Sequence, residues 1–434
     1  MSLKKTKHAL SGLAQIAAVM VCAINLAYAQ CSQSNPCATL TRIGTLGGTG
    51  SVLGLPPEVE AFLFFGAVAV SNDGVVVVGR SRPPQRFHHA FRWTGTSGMV
   101  DLGTLGGPFS YATGISSDGS VVVGLASSSS SGGAERAFRW TSAGMVSLGT
   151  LGGDVSLPPL DPQSQGMSSD GAVIVGRSAK DASQTHAFRW TSATGMVDLG
   201  TLGGNDSFAK GVSSDGSIVI GDSAIQSTGS PSPVHAFRWT SATGIVDLGT
   251  LGGESSNTTG TNSDGSVVVG SRATALRPHA FRWTKATGMK DLGTLGTDES
   301  SPSGISSDGS VVVGRSGGHA FRWTSGTGMV DLGAVVSVIM NDDGSVIVGN
   351  VENHLVATTV GGHIPVPKRP YYWTSAKGMQ DLNMLLSKAG VDMADIELTQ
   401  ASGVSKDGKF VIGSGTFSGS IGTLYIAHIV RLPD

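Results

Sequence analysis

Charge is scarce in this chain. Asp, Glu, Lys and Arg together make up 14% of its 434 residues, and the formal net charge is -2. No segment gathers Lys and Arg into a stripe, so the electrostatic footprint of a nucleic-acid binder is missing. Cysteine is scarcer still, with only Cys22, Cys31 and Cys37, and a metal site built on them would need further ligands that are not nearby. Beyond the first 29 residues no apolar run is long enough to span a bilayer. The signatures of catalysis are absent too. There is no Gly-x-Ser-x-Gly elbow, no His-Glu-x-x-His, no phosphate loop, and no mature cysteine paired with a histidine. The sequence therefore assigns no catalytic residue, no metal and no cofactor.

What is present begins with an export segment. Lys4, Lys5 and Lys7 precede an apolar stretch from Leu10 to Leu26, and Ala27-Tyr28-Ala29 sets small residues before a cleavage point. Residues 1–29 read as a signal peptide removed before Gln30, and residues 30–39 as an N-terminal tail. In an exported protein Cys31 and Cys37 are expected to form a small local disulfide. A loop that short stabilises little of a fold.

Glycine is abundant, at 64 residues, and most of it recurs at the turns of a repeat. All seven tryptophans mark that repeat. Trp93, Trp140, Trp190, Trp239, Trp283, Trp323 and Trp373 recur at intervals of 40 to 50 residues; six close Ala-Phe-Arg-Trp and the seventh closes Tyr371-Tyr372-Trp373. Such a period means one supersecondary unit repeated. The unit around Trp239 reads as four short strands: one leading to Asp215-Gly216, then Ser217 to Gly221, His235 to Trp239, and one from Gly244. Asp-Gly between β-rich runs is a hairpin signal, and the run Ile218-Val219-Ile220 reads as a strand buried on both faces.

Counting from Arg189 through a four-residue loop to Asp198 sets the two opposite each other on neighbouring strands. The same offset relates Arg92 to Asp101, Arg238 to Asp247, Arg282 to Asp291 and Arg322 to Asp331. These are expected to be structural cross-strand ion pairs. In the unit whose loop is one residue shorter, Ser147 replaces the acid, as a loss of register would explain. The turn acids Asp73, Asp118, Asp170, Asp215, Asp264 and Asp308 each stand alone, whereas calcium needs six to eight oxygens. Turn formation accounts for them. The recurring His89, His186, His235, His279 and His319 share a strand face with Phe and Trp, and read as packing or loop-bonding residues rather than a metal ring.

Asp-Gly turns also occur at Asp343 and Asp407, giving eight turns for seven tryptophans. The last unit, with His428-Ile-Val-Arg431-Leu432 matched to His-Ala-Phe-Arg-Trp, lacks a fourth strand. Leu40 to Gly48 carries a Gly-Thr-Leu-Gly-Gly signature with no unit of its own. A linear stack has no reason to split a unit between its ends, but a ring hides free sheet edges that way. The expected fold class is all-β. It is an eight-bladed β-propeller of four-stranded blades over residues 40–434, closed by an N-terminal strand that completes the C-terminal blade. An open β-solenoid is the alternative. Arg42 stands where other units carry Asp and is expected to face Arg431.

The phrases His-Ala-Phe-Arg-Trp, Gly-Met-Val-Asp-Leu-Gly-Thr-Leu-Gly-Gly and Ser-Asp-Gly-Ser-Val-Val-Val-Gly together resemble the bacterial extracellular HAF-repeat family, over residues 40–434. The ending from Asp381 to Leu386 is similar to the terminal unit of such proteins. The resemblance implies export and a propeller-like fold, and it carries no catalytic residues.

Function in a repeat ring belongs to residues that depart from the repeat. One departure is the aromatic-rich stretch from Pro56 to Phe65, also readable as a strand. The longest is Asn350 to Pro370, where His354, His363, Lys368 and Arg369, with Tyr371 and Tyr372 beside them, suit a sugar or an acidic partner. The third, Leu382 to Glu397, is expected to open with a short helix reaching Ala389. The functional reading is an exported, monomeric, non-catalytic binding or scaffold module for a polysaccharide or surface protein. It would sit outside the cell, at its surface or in the periplasm. The alternative is a channel-centred hydrolase or lyase acting on a glycan.

Overall fold

Each Asp-Gly dipeptide folds one strand back into the next. The computed structural model of the chain describes residues 37–44, 66–81, 83, 87–129, 133–160, 165–226, 232–273, 277–351, 356–357, 363–364, 369–418 and 420–430. In these turns the glycines, from Gly74 to Gly408, have φ between 67° and 76°, a region glycine enters without a Cβ penalty. The carboxylate fixes the turn. Asp118 Oδ1 accepts from the Ser116 hydroxyl at 2.6 Å and from the Ser120 N–H at 3.0 Å, while Ser116 Oγ accepts the Val121 N–H at 2.9 Å. Asn262 and Asn341 replace that serine beside Asp264 and Asp343, and accept the strand N–H through Oδ1.

After the turn come apolar residues buried on both faces, such as Val76, Val77 and Val78, and then a glycine. That glycine lies opposite the phenylalanine of the third strand, Gly79 with Phe91 and Gly221 with Phe237. The ring fills the space a side chain would take: a Cβ on Gly221 would collide with the Phe208 carbonyl and the Phe237 ring. Phe91, Phe138, Phe188, Phe237, Phe281 and Phe321 are fully buried as a result.

The outcome is a series of four-stranded antiparallel sheets spanning 66–101, 106–147, 156–198, 203–247, 255–291, 301–334 and 337–381. Two of them, 156–198 and 203–247, are joined by a parallel pairing of Thr185 with Asp206. A further sheet contains Ile396–Val404, Phe410–Phe417 and Ser420–Ile429, and its outer strand is the N-terminal Ala38–Gly44, antiparallel to Ser420–Ile429. A small hairpin pairs Val356–Ala357 with His363–Ile364 inside the 337–381 span. Helix α1, Leu382–Lys388, begins where the sequence places it, with Asp381 as its N-cap.

Successive sheets are stitched together twice. The residue before each turn acid donates its N–H to the carbonyl of its counterpart in the next sheet. These bonds run from Asn72 to Ser117 at 3.1 Å, then to Ser169, Ser214, Ser263, Ser307, Asp342 and Lys406. The arginine of each Ala-Phe-Arg-Trp phrase makes the second link. Arg92 Nε donates to the Gly119 carbonyl at 3.2 Å, and Arg139, Arg189, Arg238, Arg282 and Arg322 repeat this with the next turn glycine. In the 337–381 sheet Tyr372 takes over, its hydroxyl donating to the Gly408 carbonyl at 3.3 Å. First and last sheets also meet, because Val77, Phe91 and Trp93 share a buried cluster with Ile43, Ile412, Leu424 and Ile426.

The last sheet departs from expectation by five residues. Gly413 pairs with Tyr425 as Gly79 pairs with Phe91, so Leu424-Tyr425-Ile426-Ala427 occupies the Ala-Phe-Arg-Trp register. The deciding group is the aromatic side chain that covers the glycine, not the likeness of His428-Ile-Val-Arg431 to the phrase. Arg42 does take the position of the acid, but it pairs with Tyr425 rather than facing Arg431. Arg431, the signal segment 1–29, Cys31 and the 56–65 stretch lie outside the described residues. Cys37 is buried and disulfide-bonded, and its N–H donates to the Ala389 carbonyl at 2.7 Å.

Candidate functional site

The first strands of the sheets line a central cavity of about 310 Å³. Most carry a bulge just before the turn, and a bulge re-aims the side chain it carries. The register shifts place Val68, Thr113, Thr259, Ser303 and Ser402 at these bulges, and all five line the cavity. Ser117, Ser169 and Ser214 line it nearer the turns, with Lys406, whose Nζ reaches Ser117 Oγ at 3.5 Å. The wall is small, hydroxyl-rich and free of carboxylate side chains among the described residues that line it.

One bulge residue is charged and turns aside. Lys210 of the 203–247 sheet pairs with Asp222, which is buried. Asp222 Oδ1 also accepts the Thr258 N–H at 2.7 Å and the Thr258 hydroxyl at 2.9 Å, and Lys210 Nζ donates to the Thr258 carbonyl at 3.3 Å. Burial pushes the Asp222 carboxyl up, against the pull of Lys210 and the Thr258 donors. The pair locks the 203–247 and 255–291 sheets together. It was legible only as a departure: the register after the strand glycine holds Arg80, Leu125, Arg177, Ser271, Arg315, Asn350 and Ser414 elsewhere, and Asp222 is the acid among them.

The expected arginine–aspartate pairs are replaced by histidine–aspartate pairs. Thr94 pairs with Gly98, leaving three residues in the loop, so Asp101 lies opposite Phe91 and Arg92 lies opposite Val100. A slip of one residue sends the two side chains to opposite faces of the sheet. Asp101 then meets His89, two residues from Phe91 on the same face, with Nδ1 to Oδ2 at 2.8 Å. His186–Asp198, His235–Asp247, His279–Asp291 and His319–Asp331 repeat the contact at 2.8 to 2.9 Å. Arg189, Arg238, Arg282 and Arg322 are engaged with the neighbouring turn, as is Arg92. The other carboxylate oxygen caps the following loop, as when Gly103 N–H donates to Asp101 Oδ1 at 2.8 Å. Ser147 keeps register after all, lying opposite Phe138. Its unit has Arg136 in place of the histidine, so acid and histidine disappear together.

The turn acids carry their own pH signature. The Ser116 hydroxyl first, then the Ser120 amide and hydroxyl, hold Asp118 down to about 2, from an ordinary 3.8. The preceding serine and the following amide likewise lower Asp73, Asp170, Asp215 and Asp308. A carboxylate held below its unfolded value contributes stability that is complete above that value and is lost as pH falls through the folded one. The thermal midpoint is therefore expected to drop as pH falls from 3.8 towards about 2. Circular dichroism melts across that range check it; Asp118→Asn should lessen the drop, and a transition complete above pH 5 would point to other groups.

The insertion residues divide. His354 and Lys368 lie outside the described residues, and for His363 only its backbone, in the small hairpin, is described. Arg369 is exposed and reaches Asp381 at 3.4 Å, replacing the histidine of other units. Tyr371 and Tyr372 are not available to a ligand. Tyr371 fills the buried phenylalanine position with its hydroxyl donating to the Ser337 carbonyl at 3.0 Å, and Tyr372 makes the link to Gly408.

No protein-family model and no curated protein sequence matches the chain. Solved structures do. Porphyromonas gingivalis dipeptidyl peptidase 4 aligns with a TM-score of 0.51 at 11% identity, covering 89% of this chain and 62% of that one. Together with four-stranded sheets packed in series around a cavity, that decides the architecture. The chain is a β-propeller. Two further propeller-like neighbours are more distant in shape. Oligogalacturonate lyase from Vibrio parahaemolyticus has a TM-score of 0.45 at 11% identity, with 92% of this chain and 95% of that one covered. TolB from Acinetobacter baumannii has 0.37 at 11%, with 80% and 76% covered. At such identities the likeness concerns the fold alone.

Proposed function

We propose that this chain is an exported, non-catalytic member of the HAF-repeat family whose closed, eight-bladed propeller binds a polysaccharide in its central cavity. The observation that carries the reading is the hydroxyl-rich wall at Thr113, Ser117, Ser169, Ser214, Thr259, Ser303 and Ser402, which with Lys406 offers donors and acceptors in a concave site lined by no carboxylate among the described residues. Two features support the closed ring. The hydrogen-bonded links pass through every turn from Asn72 to Lys406, and Ile43 of the N-terminal strand joins a cluster shared by the first and last sheets. Export rests on the N-terminal segment alone. A glycoside hydrolase of the usual kind needs carboxylates that face the substrate. Here the recurrent acids are held by turn hydroxyls or by histidines.

Electrophoresis of residues 30–434 through native gels cast with different polysaccharides tests the reading. Retardation in at least one gel is expected. Thr113→Val should reduce it about fivefold, the worth of one hydrogen bond, without loss of fold, because Val68 already occupies that register in the 66–101 sheet. Free migration in every gel would overturn the saccharide assignment, and a cleared zone around the band would replace binding with catalysis.

A further inference from the structure

A second cleft, of about 430 Å³, opens between the 301–334 and 337–381 sheets and shares Thr259 and Ser303 with the central cavity. Two shortenings expose it. Asp343 follows Asp331 by twelve positions, whereas Asp308 follows Asp291 by seventeen, so the stretch after Leu332-Gly333 lacks the Thr-Leu-Gly connection that Thr294-Leu295-Gly296 supplies in the preceding unit. The hairpin above it is reduced to Gly317-Gly318 between Ser316 and His319.

The chain itself states what belongs in this space. Arg80 and Arg177 follow the strand glycines Gly79 and Gly176. Each lays its guanidinium over a ring of the next sheet, Arg80 over Tyr111 and Arg177 over Phe208, both at 5.3 Å from the ring centre. Arg315 follows Gly314 in the same register. The residue that corresponds to Tyr111, set one before the partner of the strand glycine, is Ser337 in the 337–381 sheet. The ring is gone and the cleft stands in its place. Arg315 is exposed, and among the described residues neither its guanidinium nor the Glu299 carboxylate has a hydrogen bond or ion pair. Both line the cleft. Ser301 pairs with Arg315, and Glu299 stands two residues before it in the segment that enters the strand.

We propose that this cleft binds a small aromatic amine. The ring stacks on the Arg315 guanidinium, as Tyr111 and Phe208 do on theirs, and the ammonium group pairs with Glu299. A guanidinium over a ring face is attracted by the ring's quadrupole, and the attraction strengthens as water is excluded. The single carboxylate selects the charge the ligand carries. The site lies beside the cavity assigned to a saccharide and does not depend on that assignment.

Ligand-observed NMR titration of residues 30–434 with 2-phenylethylamine, 2-cyclohexylethylamine and 3-phenylpropanoate tests it. The aromatic amine should bind, the saturated amine about fivefold more weakly for want of a ring face, and the aromatic acid more weakly than the aromatic amine. Arg315→Ser should remove the preference for the ring while the fold persists, since Ser271 holds that register in the 255–291 sheet. Glu299→Gln should remove the preference for the amine. Equal binding of the two amines, tighter binding of the acid, or undetectable binding of 2-phenylethylamine would overturn the proposal.

Discussion

A chain that begins at residue 45 is expected to melt far below the chain that begins at residue 30, and to aggregate as it does so. Loss of Ala38–Gly44 strips Ser420–Ile429 of the strand that pairs from Ala38 with Ile429 to Gly44 with Leu424. An unpaired edge of that length recruits other chains. Ile43 and Ala38 leave buried positions, and Ile43 alone contributes about 2 kcal/mol. Each lost backbone hydrogen bond adds about 1 kcal/mol, and a total near 5 kcal/mol is comparable with the whole stability of many domains. The bonded Cys37 is lost in the same deletion, so Cys37→Ser in the longer chain separates the two effects and should cost much less. Calorimetry with size-exclusion chromatography reads both; an unchanged melting temperature for the deletion would remove the strand from any role in closing the fold.

Lys210→Met should cost about 3 kcal/mol near pH 8, because a buried carboxylate left without its cation is among the more expensive single changes. The cost should shrink on acidification. Burial holds the Asp222 carboxyl above its ordinary value, so the folded state binds its proton more tightly than the unfolded chain does. Stability attributable to this group then falls as pH rises through the raised value. Without Lys210 the value rises further, and the penalty at high pH grows. Urea unfolding at pH 5 and pH 8 should give a smaller difference between variant and parent at the lower pH. Adding Asp222→Ser, the residue found at Ser271 in that register, should recover part of the loss. Equal costs at both pH values would mean that Asp222 is not the group left exposed.

Much of this was open to the sequence. The Asp-Gly turns, the doubly buried valine strands and the helix after Asp381 follow from local chemistry, and local chemistry is what a single sequence states. Partnership across strands is different, because one residue of loop length decides which face a side chain reaches. The arginine and aspartate of each unit are nine apart, and a three-residue loop in place of four sends them to opposite faces. A better signal was present. The unit with Arg136 for histidine is also the unit with Ser147 for aspartate, so the paired loss marks the histidine as the true partner. Tyr371 and Tyr372 read as surface aromatics beside a basic loop. Their registers, matching the buried phenylalanine and the inter-sheet arginine, were visible once the unit was aligned on its strand glycine, Gly349. The lysine–aspartate lock and the open Arg315 cleft were not legible as motifs. Each is one departure at one register, and its meaning depends on what the next sheet places opposite.

The chain of bonds from Asn72 through the serines to Asp342 and Lys406 uses only backbone donors and acceptors. Asparagine, serine, aspartate and lysine all serve there, because the side chain takes no part in the link. The hub of the wheel is therefore indifferent to its spokes. A gene that duplicates or loses one unit meets the same docking edge on either side, so the number of units can drift without a new interface being invented at the axis. The sheet that joins Ala38–Gly44 to Ser420–Ile429 departs at both positions of this pairing, with Arg42 and Tyr425 where most of the other sheets keep aspartate and phenylalanine.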